Sequence, residues 1–201
     1  MKDLDKARTH LLARDPILAV VIQQVTLPER KVETNYFQRL VQEIINQQLS
    51  NKAADTITTR FVALFPDSNF PTPEQVLLIN NEKIRAAGIS YPKISYIKDL
   101  AEKVHAQQID LAHIAQLPDE AVITELIKVK GIGQWTAEMF LMFALQRPDV
   151  FSYGDLGLRN AMQKLYKLRK HPSPKRAQQI SKVWRPYRTV ASWYLWESLQ
   201  L

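Results

Sequence analysis

Leu126-Ile127-Lys128-Val129-Lys130-Gly131-Ile132-Gly133-Gln134-Trp135-Thr136-Ala137 is the stretch on which the fold turns. Before it, Pro118-Asp119-Glu120 opens a segment in which Ala121, Val122, Glu125 and Leu126 share helical spacing. After it, Ala137, Phe140, Leu141 and Ala144 do the same. Two helices are thus joined by a turn built on Gly131 and Gly133, with Ile132 between them. Glycine permits left-handed backbone and close approach at both positions. Ile132 can tuck into the helix pair and fix its angle. Backbone N–H groups then face outward at the start of the second helix, where a phosphate binds well. An ordinary turn with two glycines has the same pattern. The well-patterned flanking helices and the basic chain favour a DNA-gripping helix-hairpin-helix over about residues 119–145, whose contacts read no base sequence.

Helical spacing extends outward from this motif. Phe37, Leu40, Val41, Ile44, Ile45 and Leu49 follow it, and Ile57, Phe61, Leu64 and Phe65 carry it on. Asp15-Pro16 reads as an N-cap followed by proline at the first helical position, opening 17–24. Thr72-Pro73-Glu74-Gln75 has the form of a capping box. Gly88 suits the residue after a short helix over 81–87. Ile94, Ile97, Leu100, Ala101 and Val104 form another apolar stripe. Ser173-Pro174 opens a helix that must end before Pro186, and a last helix covers about 187–198. Alternating strand pairs, fixed-period repeats and low-complexity linkers are absent. The expected fold class is all-α, with nine to eleven short helices. They should form a single compact unit over 1–201, with two helical lobes and a central cleft.

The composition narrows the function. With 201 residues and 46% hydrophobic residues the chain can bury one good core or two small ones. It has no cysteine, which excludes disulfides, zinc thiolate sites, iron–sulfur clusters and thiol nucleophiles. Apolar runs are short, as over 17–22, so none is expected to span a bilayer. The N-terminal stretch mixes Lys2, Asp3, Asp5 and Lys6 with scattered leucines and lacks the apolar core of a secretory signal. An intracellular protein fits. The net charge of +7 is uneven: residues 1–100 carry 13 Lys+Arg against 11 Asp+Glu, residues 101–201 carry 14 against 9. Residues 156–196 hold ten basic side chains and no acid. A solvated basic face would explain this. So would a polyanion footprint, since each Lys or Arg at a phosphate releases a counterion. The interleaved Tyr166, Trp184, Tyr187, Trp193 and Tyr194 favour nucleic acid.

Asp155 is the one acid between Asp149 and Glu197, at the head of a helix over 156–167. A plain N-cap is one reading. The helix N-terminus and the basic run also favour its anionic form. A fixed anion suits scission of an N-glycosidic bond, which develops oxocarbenium charge on the sugar. A carboxylate stabilises that charge and can orient or deprotonate a water. An alkylated purine is already cationic and leaves readily, so a single acid can suffice.

From about residue 36 to 197 the chain resembles the helix-hairpin-helix superfamily of base-excision DNA glycosylases. It is most similar to the DNA-3-methyladenine glycosylase II (alkylpurine DNA glycosylase) branch, in a short form. Four blocks carry the resemblance: 40–50 (LVQEIINQQLS), 129–137 (VKGIGQWTA), Gly154-Asp155-Leu156-Gly157, and 184–196 (WRPYRTVASWYLW). The resemblance implies a monofunctional glycosylase of base excision repair that flips 3-methyladenine- or 7-methylguanine-type bases from double-stranded DNA. Asp155 maps to the catalytic aspartate. Trp135 stands where bifunctional cousins place a Schiff-base lysine, so no lyase activity is expected. Trp135 and Trp196 match base-pocket positions, Tyr153 is a candidate third wall, and Met139 stands where some relatives have an aromatic. Each tryptophan also reads as a core residue. Val129, Lys130, Gly131, Ile132, Gly133, Gln134 and Thr136 would contact DNA. Gln47, Gln48 and Leu49 match the segment that wedges into the gap left by the flipped base. The resemblance implies no cofactor and no protein metal site, though relatives can hold a monovalent cation at the hairpin carbonyls. It implies a monomer off the membrane, in the cytoplasm or nucleoid of a bacterium or the nucleus of a eukaryote. Two alternatives stand beside it, a non-catalytic helix-hairpin-helix DNA-binding module and a glycosylase for oxidised or mismatched bases.

Overall fold

The structure is a computed structural model describing residues 4–30, 32–66 and 68–201. Lys2 and Asp3 of the N-terminal stretch lie outside the described residues. The described residues form α1 (Leu4–Arg14), α2 (Pro16–Gln24), α3 (Tyr36–Asn46), α4 (Asn51–Val62), α5 (Pro73–Leu78) and α6 (Asn81–Ala86). These are followed by α7 (Tyr91–His105), α8 (Asp119–Leu126), α9 (Gln134–Phe143), α10 (Leu156–Leu165), α11 (Pro174–Ser181) and α12 (Arg188–Glu197). Short 3-10 turns lie at Ile114–Gln116 and Lys182–Trp184, and no strand occurs among the described residues. The twelve α-helices among the described residues exceed the expected nine to eleven. Periodicity passes over α1, where only Ala7 and Leu11 are buried, too narrow a stripe to stand out. Among the described residues no helix is long and apolar enough to cross a membrane.

The chain divides into two compact units, Glu33–Phe140, and Met1–Val32 together with Leu141–Leu201. In the first, α3 buries Leu40, Val41, Ile44 and Ile45 on one face. The α4 helix ends at Val62, short of the Leu64 and Phe65 that spacing assigns to it. Phe65 still reaches the core, edge-on to Phe61 with centroids 5.4 Å apart. The capping box at Thr72 forms as expected, and Gly88 takes φ +105 after α6. The longest helix, α7, has 15 residues and packs against α3, α5 and α6. Its Lys98 Nζ donates to Leu77 O at 3.2 Å and Ile79 O at 2.8 Å, satisfying carbonyls at the end of α5.

The second unit closes around Leu11, Leu18, Ile22, Met162, Trp184 and Tyr194. Within it α10 packs on α12, and α1 and α12 pack on α2. Asp15 is the N-cap that the Asp-Pro pair announces, with Oδ1 accepting from Ile17 N and Leu18 N, each at 3.0 Å. Its Oδ2 does more than the sequence foretold. It accepts from Trp184 Nε1 at 2.7 Å and from the Tyr166 hydroxyl, tying α2 to residues more than 150 positions away. Burial, and then the neighbouring carboxylate, raise the Tyr166 pKa well above its ordinary value, so the phenol remains the donor. Asp15→Ala removes a buried acceptor from four donors. It should cost about 3 kcal/mol or more, measured as a lower urea midpoint with an unchanged slope.

Candidate active site and nucleic-acid interface

The loop after α9 is held from its far side by α12. Thr189 Oγ1 donates to Arg147 O at 2.6 Å and accepts from Val150 N at 3.0 Å. Arg188 grips Asp149 with Nε 2.7 Å from Oδ1 and Nη2 3.0 Å from Oδ2, a two-pronged pair. Burial works against the Arg188 charge, but Asp149 outweighs it and holds the guanidinium above its usual pKa. At the other end of α12, Trp196 Nε1 donates to Asp155 Oδ1 at 3.0 Å. The same oxygen accepts from Leu158 N at 2.7 Å, so Asp155 is also the N-cap of α10. Asp155 is only 9% exposed. Two donors from two helices therefore fix its rotamer. Gly157 makes room for this: a Cβ there would lie 3.0 Å from Trp196 Nε1 and 3.1 Å from Asp155 Oδ1.

The Trp196 indole is itself held. It stacks on Phe143 at 5.7 Å, and Phe143 stacks on Trp193 at 6.3 Å. The Arg30 guanidinium lies over Phe143 and Trp193, 4.9 and 4.3 Å from their centroids. Sequence reasoning assigned no site role to Phe143 or Arg30, and it read Trp193, with Trp184 and Tyr194, only as an aromatic of a nucleic-acid face, whereas all three are buried in the core. Trp193 precedes Trp196 by three residues on one helix, and that spacing could have revealed it. Arg30 and Phe143 carry no such local signal. Tyr153 is not among these stacked rings. It lies edge-on to Phe151 at 4.9 Å. It also lines a recess of about 420 Å³ with Lys175, Lys182, Arg185 and Arg188. That basic recess suits an anion, and the sequence indicated it only as a run of charge.

In the other unit the hairpin takes the expected form, with one correction. Val129 and Ile132 are buried. Gly131 has φ +78, and a Cβ on it would overlap the Tyr96 ring. Gly133 is not left-handed, and nothing lies within 4 Å of where its Cβ would be. The protein's own packing demands the first glycine and not the second. What the second leaves is open approach to the backbone where α9 begins. Lys130 N donates to Asp99 Oδ2 at 2.9 Å, and Lys103 Nζ lies 2.8 Å from Asp99 Oδ1. Burial opposes the Asp99 charge, but the bonds from Lys103 and the Lys130 amide hold its pKa below the usual carboxylate range. This anchor is complete at neutral pH and is lost only as pH falls through that depressed value. Gln134 is exposed and bonded to Glu138 at 2.8 Å, while Thr136 is buried. Trp135 is 44% exposed in the first turn of α9, and Met139, one turn on, is buried.

The candidate wedge follows the end of α3. Gln47 Nε2 donates to Gly131 O at 2.8 Å, joining the turn to the hairpin. Gln48 is exposed with φ +59. Leu49, 38% exposed, lines a small cavity with Ile45, Ile57 and Ile89. Among the described residues no cluster of three or more His, Asp or Glu could hold a metal. A monovalent cation at the hairpin would have to use backbone oxygens, and Gly131 O already accepts from Gln47.

Residues 41–186 match the HhH-GPD superfamily of base excision DNA repair proteins. The chain is 36% identical to DNA-3-methyladenine glycosylase 1 of Schizosaccharomyces pombe over 202 aligned residues, 98% of this chain and 89% of that one. The solved structure of S. pombe 3-methyladenine DNA glycosylase (Mag1) in complex with abasic DNA superposes with a TM-score of 0.88 at 36% identity, covering 98% and 97% of the two chains. The DNA-3-methyladenine glycosidase of Bacillus halodurans superposes with a TM-score of 0.83 at 38% identity, covering 95% and 88%. The all-helical architecture agrees with both.

The glycines separate packing from binding. Gly131→Ala should lose about 2–5 kcal/mol, from left-handed strain and the Tyr96 overlap, in a denaturant melt. Gly133→Ala should melt like the parent yet bind duplex DNA roughly tenfold more weakly, measured by anisotropy. At the second site, Gly157→Ala should push Trp196 off Asp155. The melting temperature should stay within about 4 °C, since alanine favours the helix, while the tryptophan emission shifts.

Proposed function

This chain belongs to the HhH-GPD superfamily of base excision DNA repair proteins, and from that premise we propose that it is a monofunctional DNA glycosylase removing alkylated purines of the 3-methyladenine and 7-methylguanine type. The observation that carries the reading is the buried Asp155 carboxylate, fixed between Leu158 N at 2.7 Å and the Trp196 indole at 3.0 Å. A helix cap alone would need only the first of these bonds.

In the proposed reaction, double-stranded DNA docks by its backbone on the hairpin of residues 129–136. Val129 and Ile132 are its buried anchors, and Lys130 brings a charge. Gly133 and the exposed Gln134 in the first turn of α9 offer open backbone to a phosphate, and a contact from Thr136, which is buried, rests on the resemblance alone. The basic recess beside Tyr153 adds counterion release without reading bases. Of the three wedge candidates, Gln47 is bonded to Gly131 and Leu49 lines the small cavity, while Gln48 is exposed, which supports Gln48 as the side chain that enters the stack. The Trp196 face, beside Asp155, suits a cationic base. For Trp135, Met139 and Tyr153 the base-contact role rests on the resemblance alone. The C1′–N bond breaks and its electron pair leaves with the base. Asp155 stabilises the positive charge on the sugar. A water oxygen then bonds to C1′ and passes its proton to Asp155, leaving free base and an abasic site. With Trp135 at the position of the cousins' lysine, no Schiff base forms and the strand stays intact. The whole of 1–201 works as one enzyme, as a monomer, wherever genomic DNA lies, in a nucleoid or a nucleus.

Wild type should release 3-methyladenine or 7-methylguanine from methylated duplex DNA. Asp155→Asn keeps a good helix cap and should slow release by about 10²-fold or more, while binding to an abasic-site analogue stays close to wild type. DNA binding without release from any damaged duplex would leave the non-catalytic module standing. Preference for neutral oxidised or mismatched bases over methylated ones would favour the other glycosylase class.

A further inference from the structure

The last carbonyls of an α-helix have no donor within the helix. At the end of α3 a lysine from another helix supplies one. Lys93 Nζ, on α7, donates to Ile45 O at 2.8 Å and to Gln47 O at 2.7 Å. Ile45 is still helical, whereas Gln47 is the residue at which the backbone leaves the helix, with φ −49 and ψ 125. One ammonium thus staples the helix to the turn beyond it. The next residue, Gln48, takes φ +59, a left-handed conformation that is unfavourable for a non-glycine residue. Such a turn persists only where its surroundings hold it. The side chain of Gln47 adds the bond to Gly131 O at 2.8 Å. Lys93 is built in rather than draped over the surface. It lines the small cavity with Ile45, Leu49, Ile57 and Ile89, and burial lowers its pKa from the ordinary lysine value.

We infer that Lys93 is a positioning residue for base eversion, holding the turn at Gln47, Gln48 and Leu49 in the shape in which Gln48 enters the base stack. The inference rests on the glycosylase reading above. A side chain that intrudes must replace stacking lost in the duplex. A turn that is ordered beforehand adds no ordering cost to that step. Without Lys93 the two carbonyls turn to water and the turn loses its staple, while the groups around Asp155 are untouched.

Lys93→Met keeps the stem and removes the donors, Lys93→Gln keeps a single amide head, and Lys93→Arg restores two donors. Two measurements read the effect. One is the fluorescence of 2-aminopurine placed beside a tetrahydrofuran abasic analogue in duplex DNA, at saturating protein. The other is single-turnover release of 7-methylguanine set in a fully paired duplex and, separately, in an unpaired bulge whose stack is already broken. For Lys93→Met the paired-to-bulge rate ratio should fall roughly tenfold and the fluorescence rise should shrink. Lys93→Gln should fall between, and Lys93→Arg should recover most of both. Equal losses on the two substrates with no recovery by arginine would reduce Lys93 to a fold-stabilising residue and overturn the inference. So would an unchanged ratio. If wild type releases no base but shows a fluorescence rise that Lys93→Met loses, the glycosylase reading fails and the role of Lys93 survives. If wild type shows neither, both fail.

Discussion

A carboxylate that caps one helix while accepting from an indole on another sets the geometry around it. Asp155 Oδ1 is the meeting point of α10, through Leu158 N, and α12, through Trp196. Two conditions make the meeting possible. Residue 157 must lack a side chain, because a Cβ there would crowd both partners. The register of α12 must also be held, because a slip of one residue would rotate Trp196 by about 100° about the helix axis. Arg188 and Thr189 hold that register by gripping residues 147–150 at the start of the same loop. One helix of ten residues therefore fixes both ends of the segment that carries the acid.

In the other unit α7 has the corresponding role. Along one side it offers Lys93 to the end of α3, Tyr96 to Gly131 and Asp99 to Lys130 N. Its apolar side, with Ile94, Ile97 and Leu100, is buried in the core. The turn at Gln47 and the hairpin are therefore oriented by one rigid rod rather than by each other alone. Groups that act on a ligand gain from such support, since a precise arrangement needs side chains whose own rotamers are locked.

Two cations that reach toward the interior are hydrogen-bonded there, Arg188 to Asp149 and Lys93 to carbonyls. The basic recess lined by Lys175, Lys182 and Arg185 opens to water, where such charges attract phosphate without specifying sequence. Backbone attraction of this kind carries no sequence information, which suits an enzyme whose substrate is defined by damage rather than by sequence.

Much was legible along the chain. The all-α class followed from spacing, and the caps at Asp15, Thr72, Asp155 and Ser173 followed from residue type, because a cap acts within about three residues of itself. The hairpin was legible from its two glycines. The sequence could not tell the role of Gly131, demanded by Tyr96, from that of Gly133, which faces open space. Nor could it choose among Gln47, Gln48 and Leu49, which differ by what lies beneath each of them.

By themselves the residues determined helix placement, capping, the absence of thiol chemistry and the isolation of Asp155 as an acid in a basic run. Only the tertiary structure decided that this acid meets Trp196, that Gln47 meets Gly131, and that Lys93 meets Gln47. Those pairs are 41, 84 and 46 residues apart. Patterning acts over a few residues, so it can say which groups need partners. Which distant donor meets which acceptor is settled only when the buried faces pack and the helices stop sliding.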